Sequence, residues 1–442
     1  MSTPSPKRSG AAHRIADLAE EAVGTRLPVR LRAWDGSETG PPGAPVVVVR
    51  SRRALRRLLW QPGELGLAQA YVTGEIDVEG DLAEGLRAVW SAARTRGTHA
   101  PRLTLADRAR AAVEAVRLGA VGPPPPAPAS QARLRGALHT KSRDRAAISH
   151  HYDLSNDFYR LLLDDTMAYS CGYWTGEAAE DEDTDAAAVR AQRAKLELIC
   201  RKLGLRPGAR LLDIGCGWGS LTLYAAERHK ARVTAVTLAR EQAAHVREQV
   251  RERGLGDLVE VVCQDYRDIT GSGYDAVATV EMGEHVGDAE YPAFAAALHR
   301  LAVPEGRVLV QQMSRGHRAP GGGAFIEAYI APDMHMRPLG ETVGLLEGAG
   351  LEVRSVESLR EHYVRTVAAW HRTLERRWDD VVRLVGEEVA RVWRLYLVGG
   401  ALAFEERRMG VDQILCVRPS DTGASGLARP EGADWYRGLE QS

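Results

Sequence analysis

An apolar strand leads into a glycine-rich turn at Leu211-Leu212-Asp213-Ile214-Gly215-Cys216-Gly217-Trp218-Gly219. The segment that follows, residues 221–226, has the composition of a helix. The three glycines let the backbone pass close to a ligand, and the N-terminus of the next helix offers free N–H groups. The pattern therefore predicts that a nucleotide-like ligand binds after the first strand of an α/β sheet.

The spacing of these glycines narrows the class of ligand. It is G-x-G-x-G, whereas the dinucleotide fingerprint has its last glycine one position later, where Ser220 stands. No Lys-Ser or Lys-Thr pair follows, so a triphosphate-binding loop is excluded. Asp213, just before the first glycine, favours a ligand with a positive charge near the turn. A tight turn without a ligand would use the same glycines, so this motif alone does not decide the function.

The length and composition indicate a soluble enzyme with two domains. A chain of 442 residues is too long for one ordinary core. It has no run of 18 apolar residues and no hydrophobic segment at its N-terminus, so we expect a cytoplasmic location. Its five cysteines lack C-x-x-C spacing, which argues against structural zinc and a disulfide framework. We expect no metal site.

The charge is unevenly distributed, although the net charge is only −1. Residues 1–60 contain 11 Lys or Arg against 5 Asp or Glu, and residues 91–146 contain 11 against 3. This excess favours an anionic partner, either nucleic acid or a lipid surface. An arginine-rich composition throughout the source proteome would explain it equally well.

A proline-rich stretch divides the chain. Four consecutive prolines within residues 122–128 are incompatible with a helix or a central strand. We predict a smaller mixed domain over 1–120, a linker over 121–145 and an α/β domain over 146–442. In the last of these, strands alternate with helices, which indicates a parallel, doubly wound sheet. The predicted helices are Ser51–Trp60, Leu82–Ala93, Ala186–Leu203, Glu241–Arg253 and Tyr291–Leu301, and the predicted strands are Val46–Val49, Arg210–Ile214, Arg232–Thr237, Val259–Val262, Ala276–Val280 and Arg307–Gln311.

Polar residues follow the later strands of this predicted sheet, where a ligand would bind. Thr237, Leu238 and Gln242 follow the second strand, where a ribose would find a hydrogen-bond partner. Asp265 and Tyr266 follow the third, where a carboxylate and a ring suit an adenine base. The fourth strand leads into Glu281-Met282-Gly283-Glu284-His285-Val286, which puts a carboxylate facing the reacting centre. Each carboxylate could equally be a helix N-cap or a solvated side chain.

Upstream of the sheet lie two aromatic segments, residues 150–159 and 169–174. Adjacent histidines such as His150 and His151 rarely bind one metal ion. Aromatic side chains above a bound ligand would stabilise a sulfonium or a carbocation through their π faces. An aromatic cap that only packs on the domain is the simpler alternative.

Together these motifs resemble the cyclopropane-fatty-acyl-phospholipid synthases, a family that includes the mycolic-acid cyclopropane synthases and actinobacterial fatty-acid methyltransferases. The resemblance rests on H-H-Y-D-x-x-N-D-F-Y, Y-S-C-x-Y-W, D-I-G-C-G-W-G, V-T-L with a glutamine four residues after the leucine, and E-H-V-G. It extends from about His150 to the C-terminus and includes residues 66–81. The joint occurrence of the motifs is specific, whereas each alone is weak.

The resemblance implies a Rossmann-like class I methyltransferase domain that uses S-adenosylmethionine. The implied acceptor is the cis double bond of an unsaturated phospholipid acyl chain at the membrane surface. A bicarbonate ion, thought to be the base, is a second implied ligand. The positions that match the bicarbonate site are Cys171, Glu284 and Tyr363, and those that match the cofactor site are Tyr169, Ser170, Gly215, Gly217, Thr237, Gln242, Asp265 and Tyr266, to which the glycine turn adds Asp213 and Gly219 and the second strand adds Leu238.

One position departs from the family pattern. Where the family usually has a histidine at the end of the fifth strand, this chain has Gln311, which we count among the catalytic candidates. Glutamine can donate a hydrogen bond to an anion but accepts no proton at neutral pH. The product is therefore open between a cyclopropane and an exocyclic methylene, and we favour the methylene.

The resemblance also favours a lipid surface over nucleic acid as the partner of the basic first domain. We expect an enzyme that is peripheral at the inner face of the membrane. The partners considered also include a second copy of the chain, as a homodimer, and a separate reductase. Two other functions stay open from the residues alone: methylation of a soluble small molecule, and a nucleic-acid-binding module with a vestigial cofactor loop.

Overall fold

The computed structural model describes residues 10–95, 110, 113–132, 140, 143, 156–176, 184–317, 321–427 and 434–439. Residues 133–139, 141, 142, 144 and 145 of the predicted linker and residues 150–155 of the first aromatic segment lie outside this set. The chain forms two compact units. The first comprises residues 1–131 and 386–402, and the second comprises residues 132–385 and 403–442.

The first unit is a mixed α/β unit built on a four-stranded sheet. Its strands lie in the order β2-β1-β3-β4, with β1 and β3 parallel and the other pairs antiparallel. Ala12, Leu31 and Val49 belong to its buried core. The predicted strand Val46–Val49 is confirmed, as are the two predicted helices of this region. The elements are α1 (Ala11–Val23), β1 (Arg30–Ala33), β2 (Glu38–Thr39), β3 (Val46–Val49), α2 (Arg52–Trp60), α3 (Glu64–Val72), β4 (Ile76–Glu79) and α4 (Leu82–Thr95).

Residues 386–402 also belong to this first unit, although the sequence prediction assigned them to the catalytic domain. Arg391, which is buried, donates hydrogen bonds to the backbone carbonyls of Tyr71 and Ile76. Val398 and Leu402 pack with Tyr71 in an apolar cluster. The helix that carries these residues has a break at Gly386 (φ 80°). A continuous helical pattern in sequence gives no sign that its two parts belong to different units.

The second unit consists of a seven-stranded sheet and its helices. The predicted strands and helices of this region are confirmed to within a few residues. Its elements are α5 (Asn156–Leu162), α6 (Thr184–Lys202), β5 (Arg210–Ile214), α7 (Ser220–His229), β6 (Arg232–Thr237), α8 (Arg240–Glu252), β7 (Val259–Cys263), β8 (Tyr274–Val280), α9 (Tyr291–Leu301), β9 (Ala302–Ser314), α10 (Ala324–Tyr329), α11 (Leu339–Gly348), β10 (Glu352–Ser358), α12 (Arg360–Arg376), α13 (Trp378–Glu405, shared with the first unit) and β11 (Gly410–Val417).

The strand order in this sheet is β10-β11-β9-β8-β5-β6-β7. The pairs among β5 to β9 are parallel, as predicted. The expectation of an entirely parallel sheet is wrong at one edge, because β11 runs antiparallel to both β9 and β10. Asp412 and Gln413 interrupt the apolar pattern of β11 although they are buried, and this masks the strand in the sequence.

Helices cover both faces of the sheet. The adjacent β5 residues Leu211 and Leu212 belong to different apolar clusters. Leu212 packs with residues of α9 such as Phe294, whereas Leu211 packs with residues of α6 and α7 such as Ile199 and Leu221. Parallel strands buried on both faces leave their carboxyl ends as the place where a ligand can approach.

Candidate active site

A cavity lies at the carboxyl ends of β5, β6, β7 and β8. The space among its lining atoms, counted together with the open mouth, is about 1120 Å³. The predicted cofactor residues that line it are Tyr169, Ser170, Asp213, Gly215, Gly217, Thr237, Leu238, Gln242, Asp265 and Tyr266.

The glycine turn has the left-handed backbone that the sequence predicts. Gly215, Gly217 and Gly219 have φ values of 79°, 54° and 85°. A Cβ on Gly215 would lie 2.9 Å from the Cβ of Met282, so this glycine also permits a close approach of the segment after β8. Gly219 is not among the lining residues. It precedes α7, where a Cβ would lie 3.0 Å from Val246.

Two oppositely charged side chains are buried beside the turn. Asp213 accepts a hydrogen bond from the Thr222 hydroxyl (2.7 Å), and its burial raises its pKa to about 6. Lys195, from α6, donates to the Ser170 hydroxyl across 2.7 Å. Burial lowers the pKa of Lys195, whereas nearby carboxylates including Glu281 and Asp213 raise it. The cavity thus has an anionic group beneath the turn with a compensating ammonium close by.

The ends of β6 and β7 contribute the hydrogen-bonding groups expected for a nucleoside. The Thr237 hydroxyl donates to the Gln242 carbonyl oxygen (2.8 Å), which leaves the Gln242 amide nitrogen as a donor. Asp265 accepts a two-pronged hydrogen bond from the Arg267 guanidinium at 2.8 and 2.6 Å. Tyr266 packs edge-on against Phe294. Arg267 also lines the cavity, a position that the sequence did not single out.

Aromatic side chains surround the Tyr169 end of the cavity. Tyr169 contacts Tyr159 and Trp370, with ring centroids 5.8 and 5.3 Å apart. Tyr159 in turn packs on Trp218 at 4.3 Å. The described part of the predicted aromatic segments therefore meets the glycine turn, and Trp218 joins them from within the turn itself.

Three of the four predicted catalytic residues converge on a carboxylate that the sequence analysis did not select. Glu281 lines the cavity directly after β8. Its Oε1 accepts hydrogen bonds from the Cys171 backbone N–H and the Gln311 side-chain amide, both at 2.8 Å. Its Oε2 accepts one from the Tyr363 hydroxyl at 2.5 Å. We call Cys171, Gln311 and Tyr363 the Glu281 cage.

The cage residues are held by their own contacts. The Cys171 thiol faces the carbonyls of Gly172 (3.3 Å) and Leu359 (3.6 Å), and burial raises its pKa well above the ordinary value. Cys171 therefore serves the cage through its backbone, and its side chain stays a neutral thiol. Tyr363 packs against Phe404 with ring centroids 4.5 Å apart.

Glu281 itself is half-buried and has an unusual backbone conformation. Its φ is 52°, in the left-handed region that side chains other than glycine seldom adopt. Its N–H donates to the Gln311 carbonyl at 2.6 Å. Burial raises its pKa, and the hydrogen bonds from Tyr363 and Cys171 act in the opposite direction.

Glu284, the carboxylate that the sequence did select, lies outside the cage. Its side chain is fully buried and is not among the lining residues. Neither carboxylate oxygen accepts a hydrogen bond within the described part of the chain. Burial, and then the nearby charge of Glu281, raise its pKa to about 8. Glu284 is therefore a neutral acid at pH 7, and its role in the reaction stays a prediction.

A chain of buried polar groups continues behind the cage. The side-chain amide of Gln413, on β11, donates to the side-chain amide oxygen of Gln311 (2.8 Å). The Lys202 ammonium in turn donates to the side-chain amide oxygen of Gln413 (2.8 Å). Gln413 and Gln311 are directly opposite each other in the β11–β9 pair. Sequence analysis missed Glu281, Lys195, Lys202 and Gln413. Of these, only Glu281 carried a signal, since it follows a strand as Glu284 does.

The family model for mycolic acid cyclopropane synthetase matches residues 139–414. The chain belongs to this family. A relative from Mycobacterium tuberculosis, the probable fatty acid methyltransferase Rv3720, is 34% identical over 423 residues, which is 93% of this chain and 96% of the relative. The cyclopropane-fatty-acyl-phospholipid synthase of Escherichia coli is 32% identical over 66% of this chain and 74% of its own length.

Solved structures of the family agree with the fold. The mycolic acid cyclopropane synthase CmaA1, complexed with S-adenosylhomocysteine and CTAB, aligns with a TM-score of 0.57 at 32% identity, over 62% of this chain and 97% of CmaA1. This mycolic acid cyclopropane synthetase family member is accordingly a class I methyltransferase that depends on S-adenosylmethionine. The Rossmann-like class I methyltransferase fold that the family resemblance implies is confirmed.

The residues of the cavity fit this cofactor. The uncovered backbone of the glycine turn, the Gln242 donor and the Asp213 carboxylate provide the groups that a charged nucleoside needs. When bound, the cofactor supplies an electrophilic methyl group on a sulfonium. The cage does not fit a bicarbonate ion in the same way. All three cage donors already bind the Glu281 carboxylate in this structure.

Proposed function

We propose that this enzyme transfers a methyl group from S-adenosylmethionine to the cis double bond of an unsaturated phospholipid acyl chain. The observation that carries the proposal is a half-buried carboxylate held by three hydrogen-bond donors, Glu281, in a cavity that Met167, Val280, Met282 and Val286 also line. Methylation of carbon requires a base that removes a proton from carbon afterwards. Apolar side chains beside a carboxylate that three donors hold in place suit that chemistry better than they suit an amine or a phenol.

The physical demands of alkene methylation match this cavity. A double bond is a poor nucleophile, so the enzyme must align it with the methyl group and exclude water. The π electron pair forms the new C–C bond, and the adjacent carbon becomes a cation. The aromatic faces of Tyr169 and Trp218, which line the cavity, stabilise such a cation.

We favour a methylene-branched product over a cyclopropane. Proton loss before any hydride shift closes a cyclopropane ring, whereas a hydride shift followed by proton loss gives an exocyclic methylene. The tuberculostearic acid methyltransferase UfaA1 of Mycobacterium tuberculosis is 32% identical over 93% of this chain and 92% of its own length. The likeness to the Escherichia coli cyclopropane synthase covers less of both chains. A methylene product would be the substrate of a separate reductase.

The first unit carries features that favour contact with a lipid surface. Its α2 and α3 expose Leu59, Trp60 and Leu67 at 48%, 57% and 51%, a set that we call the docking patch. The exposed Arg52 and Arg53 lie at the start of α2. Arginine near an anionic surface contributes about 1 kcal/mol, and tryptophan is favoured at the boundary between headgroups and acyl chains. No helix among the described residues has the length and apolarity that crossing a bilayer requires.

The decisive experiment for the activity uses the full chain with vesicles of dioleoyl phosphatidylglycerol and labelled S-adenosylmethionine. Gas chromatography–mass spectrometry of the fatty acids should show a gain of one carbon at the former double bond. Distearoyl vesicles, which lack a double bond, serve as the control. Label transfer to soluble amines or phenols with no change in oleoyl chains would contradict the proposal.

Contact with the membrane has a test of its own. Replacing both Leu59 and Trp60 by serine should reduce flotation with anionic vesicles several-fold and leave binding of S-adenosylhomocysteine unchanged. The control is Val356→Ser, since Val356 is an exposed apolar residue of β10 in the second unit. If binding of the protein to vesicles changes neither with their anionic lipid content nor with the salt concentration, a basic docking surface is contradicted.

A further inference from the structure

The Glu281 carboxylate is held by three hydrogen-bond donors at the wall of the cavity. We propose that Glu281 is the base that takes the proton from the transferred methyl group, so that the chain supplies its own anion and needs no bicarbonate. This inference rests on the proposed alkene methylation. It replaces the expectation that the cage holds a free ion.

The number of hydrogen bonds leaves Glu281 able to accept a proton. An ionised carboxylate has about four acceptor positions on its two oxygens. From the residues that the structure describes, Oε1 accepts two hydrogen bonds and Oε2 accepts one, so among them one position remains on Oε2. The donors hold the carboxylate in place without using that position.

The polar chain behind the cage determines which end of Gln311 faces Glu281. An ammonium group only donates, so Lys202 must meet the carbonyl oxygen of Gln413. The side-chain nitrogen of Gln413 then faces the side-chain oxygen of Gln311. The side-chain nitrogen of Gln311 is therefore turned toward Glu281. Because each group in this series is a donor to the next, Gln311 stabilises an anion at Glu281.

The backbone conformation of Glu281 also indicates a functional role. Glu281 is left-handed, a conformation that persists only where the surroundings enforce it and that clusters at functional sites. Here the enforcing contacts are its N–H bond to the Gln311 carbonyl and the three cage donors. The effect is to place a carboxylate on the cavity wall immediately after β8.

The proton transfer balances in either product. A C–H bond of the transferred methyl group breaks, and its proton binds to Glu281 Oε2. The released electron pair forms the third ring bond of a cyclopropane, or, after a hydride shift, the C=C bond of a methylene. Burial, which raises the pKa of Glu281, makes it a stronger base than a solvated carboxylate. The proton passes to solvent when the products leave.

Two variants separate a built-in base from a bound ion. Glu281→Gln keeps the cage filled but cannot take a proton. Glu281→Gly empties the cage and also relieves the left-handed backbone, because glycine tolerates that conformation. The matched control is Glu305→Gln, which alters an exposed glutamate with a similar φ of 66° far from the cavity.

Methylation of dioleoyl vesicles is measured in carbon-dioxide-depleted buffer with and without added bicarbonate. The wild type and Glu305→Gln should be active and indifferent to bicarbonate. Both Glu281 variants should lose activity by about 100-fold or more. Added bicarbonate should restore part of the activity to Glu281→Gly, whose cage donors are free, and none to Glu281→Gln.

A binding measurement keeps this test independent of turnover. Carbon-13 NMR should detect labelled bicarbonate bound to Glu281→Gly and not to the wild type, and calorimetry with S-adenosylhomocysteine should confirm that both variants are folded. If Glu281→Gly does not fold, Glu281→Gln still decides. Bicarbonate-dependent activity of the wild type, or an undiminished rate in Glu281→Gln, would overturn the inference. If the wild type methylates no alkene, the proposed function fails, while the NMR result still reports on the cage.

Discussion

Gln311, on β9, donates a hydrogen bond from its side-chain amide across 2.8 Å to the carboxylate of Glu281, the residue that follows β8. The position at which a histidine was expected therefore carries a group that stabilises an anion and exchanges no proton. Gln311 is the donor and Glu281 the acceptor of this bond, so the pair is complete without a bound bicarbonate ion. The departure at Gln311 and the unforeseen carboxylate at Glu281 thus have one explanation.

Loss of the Gln311 donor should shift the pH dependence of the reaction. A base must be ionised to act, and Gln311→Leu removes a hydrogen bond that favours the ionised form of Glu281. The pKa of Glu281 should rise in this variant, because the hydrogen bond from Gln311 is one of the contacts that lower it. In the profile of kcat/KM against pH, the acidic limb should move to higher pH.

The control for this shift is Gln312→Leu on the same strand. Gln312 is buried but bonds to Tyr291 and Thr342 instead of the cage, so its loss should reduce stability without moving the acidic limb. A rate that falls equally at every pH in Gln311→Leu would assign Gln311 a structural role only.

Much of the cofactor side could be predicted because it depends on local sequence. Gly215 and Gly217 are recognised from their spacing in the sequence. Thr237, Gln242 and Asp265 lie at or after the ends of predicted strands, at positions that a parallel sheet brings together. Each of these predictions needs only the end of a strand and the rule that ligands bind at carboxyl ends.

The catalytic side could not be predicted in the same way. Glu281 and Glu284 both follow β8, and which of them reaches the cavity depends on the left-handed backbone at Glu281. Sequence does not indicate this conformation, because it is common only at glycine. The orientation of Gln311 depends on Gln413, which is 102 residues away on an antiparallel strand that the sequence pattern conceals.

The neutral acid at Glu284 should make stability depend on pH. Its pKa is raised from 4.5 to about 8 on folding, so its protonated form fits the folded protein. The stability linked to this group is complete below its unfolded pKa and is lost as the pH rises toward 8. Each pKa unit corresponds to about 1.4 kcal/mol, so roughly 3 kcal/mol should be lost by pH 7.

Glu284→Gln tests this linkage because glutamine does not titrate. The melting temperature of the wild type should fall relative to that of the variant between pH 5 and pH 8. The comparison uses the slope with pH, which cancels any constant cost of burying the amide. Parallel curves for the two proteins would show that Glu284 is ionised in the folded state or is not buried there.

The close approach at Gly215 should make it intolerant of a side chain. In Gly215→Ala the new Cβ would meet Met282 at 2.9 Å in a backbone with φ 79°. Affinity for S-adenosylhomocysteine, measured by calorimetry, should fall at least tenfold. Gly208→Ala is the matched control, since Gly208 has a φ of 82° and nothing within 4 Å of its added Cβ. Equal losses in both variants would attribute the effect to backbone strain alone.

The hydrogen bond between the Thr237 hydroxyl and the Gln242 side chain predicts which substitutions of Gln242 preserve cofactor binding. The Thr237 hydroxyl fixes the Gln242 carbonyl oxygen and leaves the amide nitrogen as a donor. Gln242→Leu should weaken binding of S-adenosylhomocysteine about tenfold, because one hydrogen bond contributes about 1–1.5 kcal/mol.

Gln242→Glu should bind within a few-fold of the wild type, since a carboxylate still accepts from Thr237 and can accept from ribose hydroxyls with its other oxygen. Gln249→Leu, a change on the exposed side of the same helix, should have no effect on affinity. An affinity that stays unchanged in Gln242→Leu would mean that the Gln242 side chain does not bind the cofactor through hydrogen bonds.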